Sequence, residues 1–126
     1  MKRGLASLLV SGLLLFGAIP AASAHARVVS TSPKSGATIS TWPSMYSITF
    51  NEPILKIAGA VVDWIYVKDQ KGIRFDLSNP VVAGGTLTVG LKRSAKSGLY
   101  AVNYRAVSDD GHPVTGKFTF TLRLQK

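Results

Sequence analysis

The sequence predicts an all-β fold in which two antiparallel sheets pack face to face as a sandwich. Apolar and polar residues alternate over short segments, as they do in half-buried strands. Turn residues separate these segments at regular intervals. Beyond residue 24, no stretch shows a helical period of useful length. These three observations favour strands throughout and one small domain.

About seven strands are expected, because each candidate segment combines β-branched or aromatic residues with period-two alternation. The expected strands cover 27–31, 44–50, 61–68, 73–77, 86–91, 98–106 and 117–124. In the last of them the large apolar residues share one side: Phe118, Phe120, Leu122 and Leu124. Seven strands with this turn spacing are typical of a Greek-key, immunoglobulin-like sandwich.

Residues 1–24 have the three regions of a cleaved export signal. Lys2 and Arg3 give a positive start, residues 5–19 are apolar, and the small residues 22–24 precede the expected cut. An uncleaved anchor is the alternative, but the apolar stretch is shorter than the roughly 20 residues of a comfortable transmembrane helix. We therefore expect cleavage after residue 24 and export of the remaining chain.

The domain prediction is a signal peptide at 1–24 and a single mature domain at 25–126. The mature chain would have 102 residues, with 13 basic and 6 acidic side chains and a formal charge of +7. It contains no apolar stretch that could span a membrane, so no stable membrane insertion is expected after processing. Its basic residues are scattered and form no run or stripe, which argues against a nucleic-acid-binding protein.

Cleavage after residue 24 would make His25 the first residue of the mature protein. A terminal histidine offers an α-amine and an imidazole, which together can chelate one metal ion. The only other histidine, His112, follows Asp110 by two residues in a loop between two strong strands. Residues two apart in extended backbone project the same way, and Pro113 favours extended angles at His112. Asp110 and His112 are therefore expected to project together.

These groups form a nitrogen-rich set of donors with one carboxylate. The α-amine, His25 and His112 would supply nitrogens, while Asp110 would either supply an oxygen or orient a ligand. A tetragonal set of nitrogen and oxygen donors selects Cu(II) among the first-row divalent ions. Taken alone, the aspartate and the second histidine also match an ordinary turn without a ligand.

Several further segments extend this pattern over nearly the whole mature chain. They are the signal peptide ending before His25–Ala26, the Ser32–Pro33 turn, ITFNEP at 48–53, YRAVSDDGHP at 104–113 and GKFTF at 116–120. Together these segments resemble the CopC family of periplasmic copper-binding proteins. The resemblance implies a cupredoxin-like or immunoglobulin-like β-sandwich that binds Cu(II) through His25, Asp110 and His112. It also implies a periplasmic location and, as partner, a CopD-type membrane protein.

Glu52 occupies the acidic position of the F-x-E-P segment of that family. It is expected to act as a weak copper ligand or to hydrogen-bond the site; the alternative is a solvated glutamate at a strand end. Some family members carry a methionine-rich loop for Cu(I), since soft thioether sulfur suits that ion. Here the only methionines are Met1 and Met45. We therefore expect a Cu(II) site and no dedicated Cu(I) site.

The sequence thus predicts a non-enzymatic periplasmic protein of copper homeostasis or resistance, which sequesters copper or delivers it to a membrane partner. Two alternatives stay open. A copper-dependent oxidative enzyme could use the same terminal histidine in a histidine-brace-like centre, although Asp110 would tend to fill the open position that such a catalyst needs. A metal-free immunoglobulin-like interaction module would carry the two histidines incidentally.

Overall fold

The computed structural model describes residues 25–93 and 96–126; the expected export signal at 1–24 lies outside the described residues. The described chain forms eight strands. They are β1 (Val28–Ser32), β2 (Thr38–Ile39), β3 (Met45–Phe50), β4 (Trp64–Lys68), β5 (Val81–Ala83), β6 (Thr86–Gly90), β7 (Gly98–Val107) and β8 (Pro113–Leu122). Within these residues we find no helix with the length and apolar character needed to traverse a bilayer.

The strands form two four-stranded sheets, which confirms the predicted β-sandwich. One sheet has the order β1–β3–β6–β5 and the other the order β2–β8–β7–β4. Only β5–β6 and β7–β8 are consecutive strands that pair within one sheet; the other connections cross between the sheets. All strand pairs are antiparallel except β2–β8, which is parallel over two residues. That short pair is the one departure from the expected antiparallel pairing.

Two short strands, β2 and β5, are absent from the sequence-based prediction. They contain two and three residues. Alternation cannot be recognised over so few positions, because a period of two needs about four residues to stand out. Both lie at the edge of a sheet, so their strand character depends on the neighbour with which they pair.

The strand expected at 73–77 is wrong, because this segment crosses from one sheet to the other. Arg74 forms an isolated bridge with Lys68 of β4, and Asp76 forms one with Leu91, just beyond β6. The backbone of Phe75 bonds in both directions, from its amide to Val67 and from the Lys92 amide to its carbonyl. Since its partners alternate between sheets, no continuous ladder develops, although the residues are strand formers.

The core lies between the sheets and follows the predicted alternation along the long strands. The inward side chains of one central strand from each sheet are buried: Tyr46, Ile48 and Phe50 of β3, and Tyr100, Val102, Tyr104 and Ala106 of β7. Of the residues expected to share one side of β8, Phe120 and Leu122 are buried, whereas Leu124 lies beyond the strand and is exposed. The loss of alternation there reflects the end of pairing at Leu122.

The longest element is the β7–β8 hairpin, and its loop forms one end of the sandwich. Its register is continuous from Gly98 opposite Leu122 to Val107 opposite Pro113. The first residue of β1, Val28, pairs with Phe50 at the end of β3. The start of the described chain therefore lies beside the segment that follows β3.

Gly116 in β8 provides a test of the core packing, because it lies opposite Tyr104. A Cβ atom at position 116 would stand 2.6 Å from the Tyr104 ring. That ring is buried and stacks on Phe118 with 5.6 Å between centroids. We expect Gly116→Ala to lower the free energy of unfolding by about 1–3 kcal/mol, measured by urea denaturation, because the ring must be displaced.

The control for this substitution is Thr115→Ala, at the exposed neighbouring position of the same strand. It removes a β-branched side chain without adding an atom to the core, so a loss of less than about 1 kcal/mol is expected. Equal losses in the two variants would contradict the close approach of Gly116 to Tyr104.

Candidate metal centre

The loop between β7 and β8 is closed by its own backbone. The Ser108 amide donates to the His112 carbonyl at 3.0 Å, and the Gly111 amide donates to the Ser108 carbonyl at 2.8 Å. Gly111 has a φ of +86°, a left-handed conformation that favours glycine. The tight loop carries the two candidate ligand side chains, Asp110 and His112, at the end of the hairpin.

Asp110 makes the polar contacts that organise this loop. Its Oδ1 accepts hydrogen bonds from the Ser108 hydroxyl and, at 3.0 Å, from the His112 amide. Its Oδ2 lies 3.0 Å from Nδ1 of His112. The Ser108 bond first, and then the amide and ring of His112, lower the pKa of Asp110 to about 2. The carboxylate is therefore ionised at neutral pH, and it faces the imidazole that the D-x-H spacing predicts beside it.

Hydrogen bonds hold the segment before β1 through both the amide and the carbonyl of one residue, Arg27. The Arg27 amide donates to Oδ1 of Asn51 at 2.6 Å, and the Asn51 amide donates to the Arg27 carbonyl at 2.9 Å. Ala26 is buried in the hydrophobic core. His25 itself is exposed, so the chain is anchored immediately after this residue while its side chain stays open to solvent.

Residues 51–55, which we call the linking segment, connect this anchor to the β7–β8 loop. The Asp109 amide donates to the Pro53 carbonyl at 3.2 Å, and the Leu55 amide donates to the Val107 carbonyl at 2.8 Å. Ile54 pairs with Ser108 as an antiparallel bridge. The linking segment is thus bonded to the start of β1 at one end and to the β7–β8 loop at the other.

The result is a cluster of three exposed side chains: His25, Asp110 and His112. One potential ligand atom from each lies within 4.8 Å of the others. The two imidazole rings meet edge to face, with 5.0 Å between centroids and 79° between planes. Two donors bound at about 2 Å to one ion lie at most about 4 Å apart, so small side-chain rotations suffice for shared coordination. Over residues 25–93 and 96–126, no other group of three such side chains comes as close.

Glu52, the fourth residue singled out from the sequence, is not a member of this cluster. It belongs to the linking segment, and its Oε1 is enclosed without a hydrogen-bond partner among the described residues. Leaving a carboxylate oxygen in this state is costly. The structure therefore places Glu52 in the segment that joins the two halves of the site and does not place it with the three clustered side chains.

Acidic side chains are concentrated at this end of the sandwich. Four of the six that follow residue 24 lie in the linking segment, in the β7–β8 loop or directly beneath it: Glu52, Asp63, Asp109 and Asp110. Asp63 is buried and accepts a 2.8 Å hydrogen bond from the Val107 amide, and burial raises its pKa. In a chain with a net positive charge, this local negative charge favours the approach of a cation.

Sequence analysis gives no role to Asn51 and Ser108, although both lie in segments that it singles out. Asn51 holds the backbone that follows His25, and Ser108 holds the carboxylate of Asp110. Short polar side chains often bond to nearby backbone, and that tendency is the only signal that sequence offers here. The Asn51 partner is 24 residues away, so only the folded chain identifies it.

Known proteins resemble this protein both in sequence and in fold. The protein is 29% identical over 123 residues to copper resistance protein C of Escherichia coli, covering 91% of this chain and 94% of that protein. It is 31% identical over 102 residues to the copper transport protein CutJ of Bacillus subtilis (strain 168), covering 79% of this chain. The chain spans only 18% of the length of CutJ.

Two solved structures share the architecture. CopC from Methylosinus trichosporium OB3b superposes with a TM-score of 0.70 at 23% identity, covering 81% of this chain and 97% of that one. PcoC, a methionine-rich copper resistance protein from Escherichia coli, gives 0.62 at 22% identity, covering 79% and 99%. At this identity the likeness establishes the fold. The CopC domain family model matches residues 28–123, well over half of the sequence, and the chain therefore belongs to the CopC family.

Proposed function

We propose that the protein binds copper in the periplasm and serves copper homeostasis or resistance, sequestering the ion or delivering it to a membrane partner. The observation that carries this proposal is the cluster of His25, Asp110 and His112, whose ligand atoms lie within 4.8 Å of one another in a chain of the CopC family. The relatives named for copper resistance and copper transport support it. Its function is binding and transfer without catalysis.

The cargo is Cu(II), bound mainly through nitrogen. Cleavage after residue 24 would free the α-amine of His25, so that this residue chelates through its amine and its ring. His112 supplies a second imidazole from the β7–β8 loop. Three nitrogens and a carboxylate oxygen suit the tetragonal preference of Cu(II).

Asp110 takes one of two tasks in this proposal: it orients His112, or it supplies the oxygen of the donor set. Its Oδ1 is already engaged by Ser108 and by the His112 amide, which leaves Oδ2 toward the ring. When Nδ1 of His112 donates to that oxygen, Nε2 is left free to bind the ion. When Nδ1 faces the ion instead, the carboxylate beside it is the oxygen donor, because an oxygen that accepts from Nδ1 does not reach an ion bound at Nε2.

Glu52 supports the site from outside the donor set. Its enclosed and unpaired Oε1 lies in the linking segment, one residue after the asparagine that anchors the chain behind His25. A cation bound at the cluster would favour this negative charge. We therefore assign Glu52 an electrostatic role that is weaker than the role of any clustered side chain.

Delivery is possible because the three clustered side chains are exposed to solvent. A CopD-type membrane protein could therefore offer competing ligands without unfolding the donor. Met45, the only methionine in residues 25–126, begins β3, whereas the linking segment follows the other end of that strand. Six strand residues span about 17 Å, so the thioether is remote from the cluster. This placement supports a Cu(II) site without a companion Cu(I) site.

The two alternative functions are not favoured. Membership of the CopC family supports copper binding over a metal-free interaction module. A carboxylate donor from Asp110 would fill a coordination position that an oxidative copper enzyme needs open.

The first prediction concerns processing. Protein recovered after export should begin at His25, as measured by mass spectrometry, and should bind one Cu(II) tightly. A variant that carries one additional glycine before His25 should bind at least about tenfold more weakly, because the six-membered chelate formed by the α-amine and Nδ1 of His25 is lost. Equal copper affinity in the two proteins would contradict the terminal chelate.

The second prediction separates the two neighbouring aspartates of the loop. Asp110→Asn should weaken Cu(II) binding by about 10–100-fold, the usual effect of removing a group that orients a metal ligand. Asp109→Asn removes the same charge from an adjacent exposed position outside the cluster and should change affinity by only a few fold. Competition titration against a chelator of known affinity measures both, and equal effects would reduce the role of Asp110 to general charge.

The third prediction concerns pH. Because the pKa of Asp110 is lowered to about 2, its carboxylate stays ionised through mild acid. Protons then compete with copper at the amine and the imidazoles, and a histidine ordinarily titrates near 6.5. Copper affinity should therefore fall as pH drops from about 7 to 5. Affinity that is constant to pH 5 and falls only near pH 4 would indicate carboxylate ligation without imidazole.

A further inference from the structure

Charged residues are distributed unequally between the two sheets. The strands β1, β3, β5 and β6 contain no charged residue. In the other sheet every charged strand residue is a cation: Lys68 in β4, Arg105 in β7 and Lys117 in β8. Within the strands, one sheet is thus uncharged and the other carries only positive charge.

The cations lie on the outer surface of the sheet β2–β8–β7–β4. In β4 the alternating residues Ile65 and Val67 are buried, so Trp64, Tyr66 and Lys68 point outward. Side chains directly opposite one another in paired strands share a face. By this register the outer face, here called the basic face, includes Trp64 beside Arg105, Tyr66 beside Asn103, and Asn103 beside Lys117, with Arg123 directly after β8.

The nearby acids do not neutralise this surface. Asp76 is 1% exposed and is held by Arg74, which lies beyond the edge of β4. Asp69, in the turn after β4, accepts hydrogen bonds from the Lys71 and Ile73 amides at 2.9 Å. Among the described residues neither acid forms an ion pair with Lys68, Lys117 or Arg123, and these three side chains form a positive array on the basic face.

An aromatic pair lies at the β4 edge of the basic face. The rings of Trp64 and Tyr66 stack with 4.4 Å between centroids and 13° between planes. The guanidinium of Arg74 covers Tyr66 with 3.8 Å to the ring centroid. Both rings are only partly buried. Amphipathic rings of this kind are enriched where proteins meet the headgroup region of a membrane.

We propose that the basic face binds the surface of an anionic phospholipid bilayer. Lys68 and Lys117 are separated by two strand spacings, about 10 Å, and so are too far apart to grip one small anion. A spread array without an acidic residue matches a laterally continuous negative surface. An acidic protein would need carboxylates placed to match the array, whereas lipid headgroups adjust to it. Each Lys or Arg near such a surface strengthens partitioning by about fivefold.

The proposal goes beyond copper binding and does not depend on it. The row of Trp64, Arg105 and Thr115 is the part of the basic face next to the β7–β8 loop. A molecule that lies with this face on a bilayer would hold the candidate metal centre at the rim of the contact. The attraction is reversible, because salt screens exposed charges.

The test is sedimentation of the exported, processed protein with vesicles. Vesicles of equal parts phosphatidylglycerol and phosphatidylcholine should bind it, less strongly as sodium chloride is added, and vesicles of phosphatidylcholine alone should not. The combined variant K68Q/K117Q/R123Q should bind the anionic vesicles at least about tenfold more weakly. The control K34Q/K56Q/K92Q removes the same charge from exposed lysines outside the strands and should bind within about twofold of the original protein.

Three outcomes would overturn the proposal. No binding to the anionic vesicles would do so directly. An equal loss of vesicle binding in the two combined variants would show that the net charge of the protein, and not the basic face, causes the attraction. Binding to soluble poly-glutamate but not to vesicles would favour an acidic protein as the partner. Circular dichroism and Cu(II) affinity, expected to be unchanged in both variants, separate this result from misfolding and from failure of the copper site.

Discussion

The hydrogen bonds of the linking segment decide where the candidate metal centre can form. His25 and His112 are separated by most of the chain, and bringing distant residues together without a scaffold costs loop-closure entropy. Asn51 bonds to the backbone behind His25, while Pro53 and Leu55 bond to the β7–β8 loop. Folding therefore brings the donors together before any ion binds, so that most of the loop-closure entropy is already lost. Preorganisation of this kind favours tight binding.

The sequence predicts the parts of the fold that depend on local alternation and misses those that depend on distant partners. The long strands follow from alternation alone, because one buried face fixes the side on which every second residue lies. The segment at 73–77 has equally good strand formers, yet its bonds go to both sheets. Local propensity carries no information about which neighbour is available. The same limit applies to β2 and β5, whose strand character depends on their partners at the sheet edges.

In the candidate site too, the sequence predicts local contacts better than distant ones. The proximity of Asp110 and His112 is local and was expected from the D-x-H spacing, but it comes from the turn at Gly111 and not from the extended backbone that this expectation assumed. The meeting of His25 with this loop is a distant contact. The sequence indicates it by offering only two histidines, one of them at the expected terminus, and by the resemblance to a family, but it does not show the contacts that bring them together. Asn51 and Ser108 were missed as supports because the sequence does not show their partners. Glu52, expected as a weak ligand or as a hydrogen-bonding neighbour of the site, lies in the linking segment and is not among the three clustered side chains.

The distribution of charge adds a second constraint on the same small domain. A chain with 13 basic and 6 acidic side chains beyond residue 24 repels a divalent cation at long range. Screening limits that repulsion to about 8–10 Å at physiological salt, so the charges nearest the site dominate. Most acidic residues lie at the metal-centre end, whereas the cations within strands lie on one outer face. This separation of the two signs of charge supports both proposals, a cation bound at the end of the sandwich and an anionic surface facing its side.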